Sequence, residues 1–253
     1  MLKLISVFIC AGLTSVHTLA QLPGIIDSSA NKKDGKGLKQ GFWQERDMGG
    51  FIEGTYKDDL REGAWLMHNA AGTIIHLDSY KAGRKEGPVL SFENGYVLKE
   101  ENYRDDKPDG IVRTYNFAGR IKSEALYFQG NLNGESRKYY EDGGKVQERI
   151  NYTNGIKNGP SEWFEATGKP SVSFNYVNGE LEGIQKTYSN GILTREENYS
   201  HGVQTGETKE YHLNGKPKSI GNYANDQKSG TWKSFDENGK LIKTEKYQNG
   251  VLK

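Results

Sequence analysis

The chain of 253 residues has a single cysteine, Cys10, and it lies within the first twenty residues. Once such a segment is removed, neither a disulfide framework nor thiolate chemistry is open to the rest. Apolar residues are also scarce, at 34% with a mean hydropathy of -0.81. Charge of one sign is missing too: 34 basic residues face 33 acidic ones, and loss of Lys3 leaves 33 of each. With no basic field, nucleic acid is excluded as a partner. A glycine every eight residues or so, at about 1 kcal/mol each in a helix interior, leaves no window for a stable helix.

Convergent chemistry is equally absent from the pattern. Outside the leader the histidines are His68, His76, His201 and His212, and none has metal-ligand spacing. The carboxylate pairs Glu100-Glu101 and Glu196-Glu197 recur at equivalent places, as a solvated face does and a catalytic acid/base pair does not. The glycines sit at hairpin turns, not between a strand and a helix, so they cradle no phosphate. The sequence therefore gives no catalytic, cofactor-binding or metal-binding residue, and a protein that is not an enzyme is expected.

What the chain does contain is rings, 15 Tyr, 9 Phe and 4 Trp, too many for a disordered polymer. One tyrosine returns nine times, as Tyr56, Tyr80, Tyr103, Tyr127, Tyr152, Tyr176, Tyr199, Tyr223 and Tyr247, at intervals of 23 to 25 residues. A period of this size marks an array of small units, each stabilised by its neighbours. Seven residues after the first eight tyrosines stand Gly63, Gly87, Gly110, Gly134, Gly159, Gly183, Gly206 and Gly230. Eight residues before Tyr80 and every later repeat tyrosine stands a second glycine, Gly72, Gly95, Gly119, Gly144, Gly168, Gly191, Gly215 or Gly239. Length varies only between the first and the second glycine.

Asn-Gly at 94–95, 190–191, 214–215 and 238–239 predicts type I' hairpin turns. A second turn follows each tyrosine, with Gly or Asp three residues on, a position that calls for positive φ. Segments of five to eight residues rich in Tyr, Phe, Thr, Val and Ile complete pairs of short antiparallel strands. Even spacing puts each tyrosine and the aliphatic or proline six residues before it on one face. The aromatics five residues after the first glycine, Phe92, Tyr115, Tyr139, Phe164, Tyr188, Tyr211 and Phe235, are candidates for the same packed face. Lys, Glu, Ser and Thr dominate the other. On this reading Tyr152→Ala truncates a buried ring and costs about 3 kcal/mol.

The frame Tyr-x-x-Gly-x-x-x-Gly, as in Tyr152 to Gly159 and Tyr176 to Gly183, resembles the MORN repeat and more closely its bacterial variant. The resemblance covers Gly41 to Lys253. It implies a twisted single-layer antiparallel sheet of successive hairpins, an all-β fold. Proteins of this variant are often labelled as antitoxins of toxin-antitoxin systems, and MORN arrays are usually described as protein-binding scaffolds.

The organisation expected is a signal peptide over residues 1–20, with Lys3, an apolar run and cleavage near Ala20. A flexible linker over 21–36, a degenerate capping unit over 37–59 and eight repeats over 60–253 follow. Glycosylation sequons at Asn151 and Asn198 each contain a repeat tyrosine and read as chance. The expected function is an exported protein-binding scaffold, with an antitoxin-like inhibitor or a cell-wall glycan-binding module as alternatives. A monomer is expected, with Lys243 and Lys246 guarding the last strand's edge.

Overall fold

The computed structural model describes residues 29–253 apart from Met48, Asp142 and Gly143. The expected signal peptide and the first part of the expected linker lie outside the described residues. What is described is all-β: 23 strands form one open antiparallel sheet in which strands pair with their neighbours in sequence. The exceptions are the two-residue strands Arg84–Lys85, Lys107–Pro108 and Glu180–Leu181, which pair only with the strand before them. The first strands are β1 (Lys32–Lys33), β2 (Lys39–Asp47) and β3 (Gly50–Lys57). The second half of the expected linker is thus a short arm, in which Lys32 pairs with Gln40 and Lys33 with Lys39.

The sequence frame becomes a register. Each repeat tyrosine lies directly opposite the glycine that opens its own hairpin, from Gly41↔Tyr56 and Gly63↔Tyr80 to Gly230↔Tyr247. The capping unit obeys the same rule despite its shorter loop. These glycines are needed for their backbone. Gly41, Gly63 and Gly230 have φ near +70°, and a Cβ built on any of them meets nothing within 4 Å. Positive φ there makes a bulge; Ile150↔Ser161 is followed by Tyr152↔Lys157, which leaves extra residues on the Gly159 side.

Type I' turns follow the tyrosines in every unit. The pairs Asp58-Asp59, Ala82-Gly83, Asn154-Gly155 and Asn249-Gly250 all have both φ positive, as do their equivalents. At the other end of the hairpins the expectation holds at Asn94-Gly95 and Asn190-Gly191 but not at 214–215 and 238–239, where only the glycine has positive φ. There the loop is one residue longer, and Asp236 Oδ1 accepts hydrogen bonds from the N–H groups of Asn238 and Lys240. A type I turn closed by a left-handed glycine results. This accounts for the variable period: the units with two-residue loops are those with the shortest gap between glycines.

The turns after the tyrosines are stacked by hydrogen bonds. The N–H of the second turn residue donates to a carbonyl two residues before the unit's first glycine, as in Gly83 to Arg61 (2.9 Å), Gly155 to Leu132 (2.7 Å) and Asp226 to Gln204 (3.1 Å). The residue just before that glycine supplies a side-chain acceptor to the first turn N–H, as Glu62 does for Ala82 and Glu182 for His201. Backbone pairing and these caps hold the array together, with a thin core beneath.

That core runs along the tyrosine face. Its most buried positions lie two residues after the first glycine, where Trp43, Trp65, Val89, Ser161, Thr208 and Trp232 stand, and two before the tyrosine, at Ile150 and Glu197. Of the repeat tyrosines Tyr56 alone is buried and the others are half-buried, so the ladder is not a sealed core. Cations cover the rings, with Arg61 over Trp65 and Tyr80 and Lys228 over Trp232 and Tyr247, at 4.2–5.3 Å from the centroids.

A candidate recognition ladder on the face opposite the tyrosines

The aromatics five residues after the first glycine do not join the tyrosine face. Register shifts at the hairpin ends, such as that between Lys138 and Tyr139, insert one residue before the pair Tyr139↔Val146. The even-spacing argument fails across that bulge, and the rings and their aliphatic partners turn to the opposite face. There four of them meet the residue fifteen earlier in the chain. Tyr115 Oη donates to Glu100 at 2.7 Å, Tyr139 to Glu124 at 2.6 Å and Tyr211 to Glu196 at 2.7 Å. His68 Nε2 lies 3.0 Å from Glu53 in the same relation. Where the residue fifteen earlier is not acidic, Phe replaces Tyr at several places: Phe164 lies under Arg149, with 5.5 Å from the guanidinium carbon to the ring centroid. Phe92 and Phe235 follow Leu77 and Ile220.

The acceptors Glu100 and Glu124 stand in a single row of charged residues across six adjacent strands, Glu100, Arg113, Glu124, Arg137, Arg149 and Glu162, each directly opposite the next. Arg113 bridges Glu100 and Glu124 at 3.8 and 3.4 Å, and Arg137 continues to Glu124 at 3.3 Å. Arg137 and Arg149 oppose each other as like charges, an unfavourable cross-strand pair. Glu135, next to Gly134, pairs with both and relieves it. Arg149 then reaches Glu162 at 3.1 Å. The side chains are about a third exposed, so each pair alone contributes little; the network fixes their orientation.

The ladder shifts its own titrations. Burial first, and then the hydrogen bond to Glu100, push the Tyr115 phenol up to about 12. Burial and Glu196 do the same for Tyr211, also to about 12, and Tyr139 moves in the same direction. The Tyr139 hydroxyl and the Arg113 guanidinium hold Glu124 below the usual carboxylate range.

The residues singled out from the sequence fall into place around this row. The repeat tyrosines and glycines, Tyr56 to Tyr247 and Gly63 to Gly230, form the opposite face and its bulges and come together as structure. Glu100 and Glu101 point to opposite faces, as do Glu196 and Glu197, so neither is an acid/base pair. Nor are they all solvated, since Glu197 is 7% exposed and bonded to Gln204 and Arg195. His68 stacks on Phe51 with centroids 4.2 Å apart and is not a free surface group. The sequon amides are occupied: Asn151 donates to the Pro160 carbonyl and Asn198 to that of Glu207, each tying down a bulge. Sequence reasoning missed the ladder, although the fifteen-residue Glu-to-Tyr spacing was there to be read.

Among the described residues no group of three His, Cys, Asp or Glu stands close enough to hold a metal ion. A hollow of about 220 Å³ near the N-terminal units is lined by Arg46, Ile52, Arg61, Trp65, Leu66, Met67, His76 and Asp78. That is below the roughly 300 Å³ at which small-molecule pockets begin. No described helix is long and apolar enough to cross a membrane.

Fold and surface together define an open tandem-hairpin repeat protein, with one half-buried aromatic face and one charged, hydrogen-bonded face. Residues 204–225 and 228–252 match the family model described as the MORN repeat variant, which supports the MORN-repeat family for this array. No curated protein matches the chain. Among solved structures it is similar to a crystal structure of a mutant of TarM from S. aureus in complex with Fondaparinux, alpha-GlcNAc-glycerol and UDP. That similarity is at 15% identity and TM-score 0.29, over 38% of this chain and 19% of the other. A second structure of TarM is similar at 15% identity and TM-score 0.28, over 46% and 20%. The chain spans about a fifth of the length of both, and at these scores the likeness says nothing of function.

Proposed function

We propose that this repeat protein is a non-catalytic scaffold that binds another protein through its charged face, acting as a single copy after export. The observation that carries the reading is the row from Glu100 to Glu162, in which hydrogen bonds from Tyr115 and Tyr139 and shared ion pairs orient half-exposed carboxylates and guanidinium groups along six strands. A row ordered beforehand loses little side-chain entropy on binding, and its uneven order of charges, with Arg137 beside Arg149, selects one register of a complementary surface. The antitoxin-like role is one use of such a surface, with an exported protein as its target. Glycan binding asks instead for open rings, and on the other face Lys39, Arg61, Lys157 and Lys228 lie over several of them.

The test is affinity capture from an envelope extract with residues 21–253, alongside a variant carrying Arg113→Gln, Arg137→Gln and Arg149→Gln and a control carrying Lys228→Gln. A stoichiometric protein retained by the parent and the control but lost with the triple variant is expected. Retention of the parent on insoluble wall material, with no protein captured, would replace this reading with glycan binding.

A further inference from the structure

We propose that the outer edge of β2 is a docking edge for the last full strand, Leu241–Gln248, of a second copy of this chain, and that Asn31 keeps it closed. β2 opens the array, and among the described residues no repeat lies on its outer side, which would show unpaired backbone groups. Asn31 stands there at φ +63°. Its N–H donates to the Phe42 carbonyl at 3.0 Å. Its side-chain amide donates to the Gln44 carbonyl at 2.9 Å and accepts from the Gln44 N–H at 2.8 Å. One carboxamide thus takes the place of a strand's peptide group, and β1 holds it there through the two pairs with Lys39 and Gln40.

The occupant follows from the register inside the array. Each unit's returning strand pairs with the opening strand of the next through residues four and three before its tyrosine, as in Lys99↔Thr114 and Glu100↔Arg113. Those residues in the last unit are Lys243 and Thr244, and among the described residues no strand pairs with them from the outer side, where the first backbone bond is that of the Lys253 N–H to the Lys246 carbonyl at 2.9 Å. The corresponding residues of β2, four and three after Gly41, are Glu45 and Gln44. Docked by the array's own rule, Lys243 of one copy lies opposite Glu45 of another and Thr244 opposite Gln44, the residue whose backbone Asn31 occupies. Leu241 and Ile242, 48% and 66% exposed, flank this edge. The contact is head-to-tail, so each docked copy offers a free edge to the next and opening the edge yields species larger than a dimer.

Asn31→Gly tests this, because glycine keeps the positive φ and removes only the amide. Circular dichroism checks that the sheet survives, hydrogen exchange reads the Gln44 amide, and sedimentation velocity reads size over a range of concentrations. The parent is expected to run as one small species. In the variant, Gln44 exchange rises roughly tenfold and species lengthen with concentration. Adding Lys243→Glu, which sets two carboxylates against each other, returns it to one small species. Unchanged Gln44 exchange overturns the role of Asn31. Faster exchange with a single small species at every concentration overturns the docking, as does association that persists with Lys243→Glu.

Discussion

At the scale of single residues, two kinds of glycine in this chain have different reasons to be glycine. The frame glycines are fixed by positive φ, and Gly41, Gly63, Gly183 and Gly230 also have open space beside them, so Gly63→Ala is expected to cost roughly 1 kcal/mol from backbone strain alone. Gly54 and Gly221 stand outside the frame, and a Cβ on them would lie 2.4 and 2.1 Å from the indoles of Trp65 and Trp232. Each is the hole for a tryptophan on the next strand. Gly221→Ala should therefore destabilise by about 1–3 kcal/mol through overpacking, and Trp232→Val in the same chain should recover part of that, read as urea midpoints. Tyr152 is half-buried, so Tyr152→Ala should cost about 1–2 kcal/mol and not the 3 expected of a sealed ladder. Tyr115 and Tyr211 predict a pH dependence. Each phenol is raised in the fold from an ordinary value of 10.0 to about 12. The fold thus favours the neutral phenol, and that stabilisation is complete below pH 10 and lost as pH climbs from 10 toward 12. A Tyr115→Phe, Tyr211→Phe double variant should lose about 1 kcal/mol per site at neutral pH and show a flatter decline of melting midpoint across that alkaline window.

At the scale of elements, the turns after the tyrosines organise the stack, since each donates a hydrogen bond back to the strand that opens its own unit. Their first position is always left-handed, yet Ala82 and Gln129 occupy it where four other units have asparagine. Ala82→Asn should raise stability by about 0.5 kcal/mol, because asparagine tolerates this backbone region better than alanine. Thermal melting of the single variant checks it. The Asn-Gly signal was legible, but its meaning depended on the loop around it. At 214–215 and 238–239 the loop is one residue longer, and His212 and Asp236 receive hydrogen bonds that a two-residue turn has no room for.

Over the whole molecule, each unit touches little beyond its neighbours, so stability is close to a sum of unit and interface contributions. Deleting residues 160–183, which joins Gly159 to Ile184 and preserves the frame, should leave a folded sheet whose melting midpoint falls by a few degrees. Deleting residues 160–171 breaks the register and should abolish cooperative melting. The charged row ends at Glu162, so the in-frame deletion also removes its last acceptor and should weaken capture through that face while sparing the fold.

The sequence by itself determined the period, the all-β class, the glycine and tyrosine frame and the place of every turn after a tyrosine. These follow from local steric rules: the second position of each turn after a tyrosine takes positive φ and is always Gly or Asp, whichever residue stands at the first. Tertiary structure alone decided which face the second set of aromatics joins, because a single inserted residue at the hairpin end reverses the parity on which face assignment depends. It also decided how Glu100, Arg113, Glu124, Arg137, Arg149 and Glu162 meet. They are eleven to thirteen residues apart in the chain and become neighbours only when adjacent strands pair, so no local rule distinguishes them from scattered surface charge.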